Sequence, residues 1–308
     1  MTEVPIPKAD PSAFKAGYVA IVGEPNVGKS TLMNSLLGQK ISIVTRKPQT
    51  TRQRVLGILS LDGGQVIFLD TPGLLEPKYL LHEKMMESAR RALEDADIVL
   101  LMTEVSRGSE IPRAVRTGVL EPFRGKPLIA VINKVDTRPR EELLPIIGAL
   151  ARMNVFRHII PVSALKGENL DDLRETLLRE LPVHPPLYPT DIVSEHPERF
   201  FAAELIRECI FEHFQEEVPY STAVEIREFK EREEGKTYIL ADIVVERTSQ
   251  KGIIIGKQGS SLKSVGASAR TKIEEFLGTP VYLELFVKVG ERWRQNAGWM
   301  KRLGYEAG

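Results

Sequence analysis

Only one cysteine, Cys209, occurs in the 308 residues. An internal disulfide is therefore excluded, as is a thiolate zinc cluster, and the usage fits a reducing compartment. Aromatic residues make up 6%, with two tryptophans, Trp293 and Trp299, close to the C-terminus. The five histidines have no spacing that would bring two of them onto one metal. Neither sign of charge is in excess: 42 Lys and Arg balance 42 Asp and Glu. The molecule as a whole thus offers polyanions no general attraction, although Gln250 to Gly308 hold ten Lys and Arg against five Asp and Glu. No apolar run approaches the roughly 20 residues that a membrane-spanning helix needs. The opening stretch, MTEVPIPKADPSAFKAG, mixes acids and prolines without an apolar core, unlike a signal peptide or an Arg-rich transit peptide. A soluble, cytoplasmic protein is expected.

What is present is an alternation. The runs YVAIVG (18–23), QVIFLD (65–70), DIVLLM (97–102), PLIAVIN (127–133) and HIIPVS (158–163) are apolar throughout, with helical spacing between them. Such runs suit strands covered on both faces, which predicts a mostly parallel sheet with helices on both sides, an α/β domain. Asp62-Gly63-Gly64 is a hairpin signal and adds one antiparallel edge strand. Five prolines between Pro182 and Pro197 mark a linker. Beyond it the order is helix (198–217), strands STAVEIREFKE and TYILADIVVER, a helical pair around 251–277, and a last strand PVYLELFVKV. The division expected is an N-terminal extension (1–16), an α/β domain (17–181), the linker (182–197), an α+β domain (198–290) and a tail (291–308).

GEPNVGKST (23–31) follows the first strand and precedes a helical LMNSLLG. G-x-x-x-x-G-K-[ST] in that setting is the phosphate-binding loop of a P-loop protein. Its N–H groups, from Gly23, Glu24, Pro25, Asn26, Val27, Gly28, Lys29, Ser30 and Thr31 less the proline, and the helix N-terminus face an anion. Lys29 is expected on the β- and γ-phosphates and the Ser30 hydroxyl on Mg2+. Asp70-Thr71-Pro72-Gly73 ends a strand; Asp70 can reach magnesium through water, and the Gly73 N–H can bond a γ-phosphate. Asn133-Lys134-Val135-Asp136 ends a later strand. The Asp136 carboxylate can accept from guanine N1–H and N2–H2, and adenine would leave it partly unpaired. Ser163, Ala164 and Leu165 end the last strand, where backbone N–H groups can meet guanine O6. A guanine nucleotide, GTP or GDP, is the expected ligand.

The second domain carries Gly256-Lys257-Gln258-Gly259 between its paired helices. A G-x-x-G there is the loop with which KH domains clamp a nucleic-acid backbone, and helix–strand–strand–helix–helix–strand is the type II KH order. Lys257 can pair a phosphate, and Ile253, Ile254 and Ile255 can floor a site for unstacked bases. In the tail, Lys301 and Arg302 are read as RNA contacts and Trp293 as packing onto the KH sheet.

This set of motifs resembles the translation-factor class of GTPases and, over essentially the whole chain, the Era family of bacterial GTPases. The resemblance implies that Arg46-Lys-Pro-Gln-Thr-Thr-Arg52 is switch I, with Thr51 as second magnesium ligand and Thr50 as the alternative. It implies GTP hydrolysis, with Asn26, Lys29, Thr51 and Gly73 in the catalytic set. It also implies binding to the 3′ end of 16S rRNA in 30S ribosomal subunit assembly, nucleotide-coupled, by a monomer, with peripheral membrane association as a family trait. Leu74 stands where Ras-like proteins have glutamine, which implies slow hydrolysis unless something else supplies charge. Asn26 either helps hold K+ beside the phosphates, as in related GTPases, or serves a turn that asparagine accepts. Two rival classes remain: a P-loop kinase, which leaves the guanine motif and G-x-x-G idle, and a nucleotide-gated RNA chaperone without hydrolysis. The Der family also ends in a KH-like domain, but it has two G domains and lacks G-x-x-G there.

Overall fold

The computed structural model describes residues 14–45, 47–73, 76–105, 125–231 and 235–305. Arg46 and Leu74 lie outside the described residues. Two compact units are present. The first comprises Met1–Gln39, Val55–Thr71 and Arg90–Glu195; the second comprises Lys40–Arg54, Pro72–Ala89 and His196–Gly308.

In the first unit β1 (Lys15–Gly23), β2 (Val55–Leu61), β3 (Gly64–Asp70), β4 (Ile98–Glu104), β5 (Leu128–Asn133) and β6 (His158–Pro161) form one sheet in the order β2-β3-β1-β4-β5-β6. β3 pairs in parallel with β1, β1 with β4, β4 with β5, and β5 with β6. β2 alone runs antiparallel, reached through a two-residue turn in which Gly63 adopts φ 79°. Every residue of β3 is buried, which is why the run is apolar without alternation. Among the described residues its helices are α1 (Lys29–Leu37), α3 (Leu143–Arg152) and α4 (Leu170–Glu180), with α2 (Leu80–Asp95) belonging to it from Arg90 on. α3 packs Leu143, Ile146 and Leu150 against Ala130 and Ile132 of β5.

The proline-rich stretch is not a free linker. Gln65 on β3 accepts at Oε1 from the N–H groups of Leu187 and Tyr188, both at 2.9 Å, and donates from Nε2 to the Tyr188 carbonyl at 3.0 Å. Further on, the Ile58 N–H of the edge strand donates to Val193 O at 2.7 Å. Leu187, Tyr188 and Ile192 cover Leu56, Ile58, Ile67 and Leu69. Prolines prevent a helix here; a buried glutamine then fixes the extended chain to the sheet.

The second unit holds α5 (Glu198–His213), β7 (Ala223–Lys230), β8 (Thr237–Val245), α6 (Thr248–Ile255), α7 (Ser260–Leu277), β9 (Val281–Val289) and α8 (Ala297–Arg302). Its sheet order is β7-β8-β9, antiparallel then parallel. The helix expected to reach residue 217 ends at His213, with Phe214 already extended. Leu205, Ile206, Cys209 and Ile210 of α5 pack with Ile239, Ile243, Val265 and Ile273 in the core. Residues 291–305 are part of this unit rather than a tail: Trp293 is fully buried and donates from Nε1 to Ser221 O at 2.7 Å, beside Leu81, Met85, Met300 and Leu303.

Candidate nucleotide site and nucleic-acid interface

The phosphate loop leaves β1 and enters α1, whose first-turn residues Lys29 and Ser30 are buried. Lys29 Nζ donates to the Gly23 carbonyl at 3.2 Å and to the Glu24 carbonyl at 3.0 Å. Burial lowers its pKa to about 8, against the opposing pull of the Asp70 and Glu24 carboxylates. Ser30 Oγ donates to Asp70 Oδ2 at 2.8 Å, so the start of α1 and the end of β3 meet at a hydroxyl and a carboxylate. These hard oxygens fit Mg2+, which takes few protein ligands and fills its shell with water and phosphate. Gly28 cannot be replaced: its φ is 101°, and a Cβ would stand 2.3 Å from Asn133 Nδ2.

Asn133 is the brace of the site. Its Nδ2 donates to Val27 O at 2.7 Å and its Oδ1 accepts from the Ala164 N–H at 3.0 Å. One amide thereby joins the phosphate loop, the end of β5 and the loop after β6. Lys134, at φ 64°, donates from Nζ to Asn26 O at 2.8 Å and pairs with Glu104. Asn26 itself adopts φ 65°, the left-handed turn conformation. Asp136 is exposed, and its Oδ1 accepts from Ser163 Oγ at 2.6 Å, which sets the carboxylate's orientation. Leu165 is 76% exposed beside it in sequence to the buried Ala164. Thr71 faces inward and donates to Ile21 O at 2.8 Å.

Thr51, Pro72 and Gly73 belong to segments of the second unit. Thr51 is buried there, and its neighbours are tied to the same unit. Arg207 donates to Thr50 O, and Arg52 donates to the carbonyls of Thr222, Tyr220 and Pro219 at 2.7, 2.9 and 3.2 Å. Lys47 Nζ donates to the carbonyls of Phe211 and Phe214 at the C-terminal end of α5, where a cation is favoured. Arg207 and Glu208 carry no functional signal in the sequence, because a buried charge leaves no local signature, and Arg52 is marked there only as the end of switch I.

The G-x-x-G loop lies between α6 and α7 as expected. Gly256 has φ 71°, and a Cβ would stand 2.2 Å from Ser261 Oγ; Gly259 has φ 79°. Lys257 and Gln258 are exposed at its tip. Beside it runs a groove of about 440 Å3 lined by Leu262, Lys263, Gly266, Ala267 and Arg270 of α7 and by Leu283 and Leu285 of β9. Lys263, Gly266, Ala267 and Arg270, at i, i+3, i+4 and i+7 on one helix face, are the signal in the sequence for this wall. One expectation is corrected. Ile254 is wholly buried in the core and Ile255 packs against that core, so of the three isoleucines only Ile253, 49% exposed, faces outward. Arg302 makes a two-pronged pair with Glu225, at 2.9 and 2.8 Å, and its guanidinium lies over Trp299, while its side chain stays nearly half exposed. Lys301 is exposed.

Among the described residues no helix is long and apolar enough to cross a membrane, and no group of three or more His, Cys, Asp or Glu could hold a metal.

Residues 18–134 match the family described as 50S ribosome-binding GTPase, and residues 217–294 match the KH domain. The chain is 46% identical to GTPase Era of Geotalea uraniireducens over 295 residues, 95% of this chain and 98% of that protein. It is 44% identical to the chloroplastic GTPase ERA1 of Zea mays over 293 residues, 94% of this chain and 70% of that protein. Among solved structures, Era in complex with MgGDPNP and nucleotides 1506–1542 of 16S ribosomal RNA superposes with a TM-score of 0.91 at 45% identity, covering 96% of this chain and all (100%) of that one. An Aquifex aeolicus Era variant bound to GDP and aluminium fluoride gives the same TM-score, 0.91, at 44% identity over 96% of this chain and 100% of that one.

Proposed function

Because the chain belongs to the Era family of GTPases, we propose that it couples its guanine-nucleotide cycle to binding the 3′ end of 16S rRNA during assembly of the 30S subunit. In this reading it acts as a cytoplasmic monomer. The observation that carries the reading is the pairing, on one chain, of a braced guanine site with a G-x-x-G loop that opens onto a groove. A P-loop kinase would need neither Asp136 held by Ser163 nor the groove along β9.

In the nucleotide site Lys29 neutralises the β- and γ-phosphates, the N–H groups of the loop and of the first turn of α1 cradle them, and Asp136 reads the guanine edge. Ser30 and Asp70 would hold Mg2+; the ion supplies charge neutralisation on the phosphates. Asn26 is assigned to K+ as an electrophilic aid to hydrolysis, its left-handed backbone being compatible with that task. Turnover in potassium against sodium, for the wild type and for Asn26→Ala, tests the assignment: equal rates in both salts remove it. Gly256 to Gly259 press against the RNA backbone, Lys257 pairs a phosphate, Ile253 and the α7–β9 groove receive unstacked bases, and Lys301 adds a phosphate contact.

The decisive experiment is the affinity for an RNA oligonucleotide of the 16S 3′ end, measured with a GTP analogue, with GDP and without nucleotide. Tight binding that differs between nucleotide states is expected. Binding no tighter than to a scrambled RNA would overturn the RNA reading, and equal affinity in all states would overturn the coupling.

A further inference from the structure

Helix α5 is buried from Leu205 through Phe211, charged residues included, because it is covered on more than one side. Glu208 is the point that the coverings share. Its carboxylate is 1% exposed. Oε2 accepts from Lys40 Nζ at 2.7 Å and from Lys272 Nζ at 2.9 Å, and Oε1 accepts from the Val44 N–H at 3.0 Å. Lys40 and Val44 lie in the segment Lys40–Arg54, which contains the switch I residues; Lys272 lies on α7, two positions beyond Arg270 of the groove.

Burial pushes a carboxyl toward its neutral form. Here the two ammonium groups and the amide outweigh burial, and Glu208 is held below the ordinary glutamate range. A buried carboxylate is tolerated only while its donors remain. Whatever draws Lys40 and Val44 away strips donors from Glu208, leaving Lys272 to compensate. Lys272 also bonds Glu212, at 2.7 and 2.8 Å, so α7 is tied to α5 at two adjacent carboxylates. The bonds from Lys47, Arg207 and Arg52 hold the segment to α5 and the turn after it; the Glu208 carboxylate adds the groove helix to the same clasp.

We propose that Glu208 is the positioning residue through which the nucleotide-responsive segment Lys40–Arg54 and the groove helix α7 bias each other. The inference rests on the coupled reading above and names the group that transmits it. A ligand shifts a two-state equilibrium only by its differential interaction with the two states, and a shared buried carboxylate supplies such a difference.

The test compares the affinity for the 16S 3′-end oligonucleotide with GTP analogue and with GDP in the wild type, Glu208→Gln and Lys40→Met. Lys40 has a half-exposed side chain, and its loss leaves Lys272 on Glu208, so the second variant keeps the test valid even where the first is destabilised; thermal melts accompany both. The wild type should show a ratio of about 5-fold or more between the two nucleotides, and both variants a ratio within about 2-fold of unity. By linkage, the effect of the oligonucleotide on GTP-analogue affinity must shrink by the same factor. Glu212→Gln, which touches Lys272 but not the segment, should keep the wild-type ratio. Retention of the ratio in folded Glu208→Gln and Lys40→Met, or its loss in Glu212→Gln, would overturn the role of Glu208 while leaving coupling intact. A wild type without any nucleotide dependence would overturn the coupled reading itself, and Glu208 with it.

Discussion

Asn133 Nδ2 and the Val27 carbonyl stand 2.7 Å apart across 106 residues of chain, and the same amide accepts from Ala164 N–H at 3.0 Å. The N-K-x-D asparagine thus acts on the phosphate loop and on the loop beside the base together. Each buried hydrogen bond of this kind contributes about 1 kcal/mol. Asn133→Ala should therefore weaken GTP and GDP by similar factors, on the order of 10- to 100-fold, with guanine-over-adenine selectivity retained through Asp136. Titration with fluorescent guanine and adenine nucleotides checks this; a variant that loses selectivity but keeps affinity would contradict it.

Asp136 accepts from Ser163 and presents its remaining lone pairs outward. An amide in its place has one acceptor and one donor. Asp136→Asn should disfavour guanine, whose N1–H and N2–H2 both donate, and favour xanthine, which offers one donor and one carbonyl. The expected reversal is at least about 100-fold in relative affinity, since a mismatched buried polar group is left unpaired. Competition between the two nucleoside diphosphates measures it directly.

Lys29 has its pKa depressed to about 8 by burial in the ligand-free protein. Triphosphate adds negative charge beside the ammonium and must raise that pKa in the complex. Binding therefore takes up a proton above pH 8, and affinity falls as pH rises through 8 while remaining flat below it. Calorimetry at pH 8.5 in two buffers of different ionisation enthalpy should register the uptake. Lys29→Arg, ionised throughout, should abolish it.

His82 stacks on Tyr79 with ring centroids 3.9 Å apart, and both its ring nitrogens are buried without a hydrogen-bond partner. Burial, and then the positive charges of Arg294, Arg52 and Lys78, lower its pKa to about 4. The unfolded chain, with an ordinary histidine, takes up the proton first. The stabilisation from the neutral ring is therefore complete above about pH 6.5 and is lost as pH falls toward 4. His82→Phe, which keeps the stack, should show a smaller fall in Tm between pH 7 and pH 5 than the wild type. An equal fall would place the acid sensitivity elsewhere.

The strands β1 and β3 to β5 were legible because burial on both faces writes an unbroken apolar run into five or six consecutive residues. The phosphate loop, the guanine motif and G-x-x-G were legible for a related reason: close backbone approach and special φ angles demand glycine, lysine or asparagine at set spacing. The isoleucine triplet shows where such reading stops. Ile253, Ile254 and Ile255 are alike in composition, and only the rotation of α6 against the sheet decides that the middle one enters the core. The proline-rich stretch was read from what it cannot form, a helix, while the glutamine that secures it lies on a strand more than a hundred residues earlier.

Local chemistry is carried by neighbouring residues, so the sequence alone established a P-loop nucleotide site specific for guanine and a KH domain, and with them the order of strands and helices that presents each. Allegiance is another matter. That Lys40–Arg54 is fastened to α5, that Arg52, Arg207 and Glu208 are buried charges, and that the C-terminal residues close a second core were settled only by folding. The bonds that fasten Lys40–Arg54 reach across 157 to 170 residues, and a charge bound for the interior is spelled no differently from one bound for water.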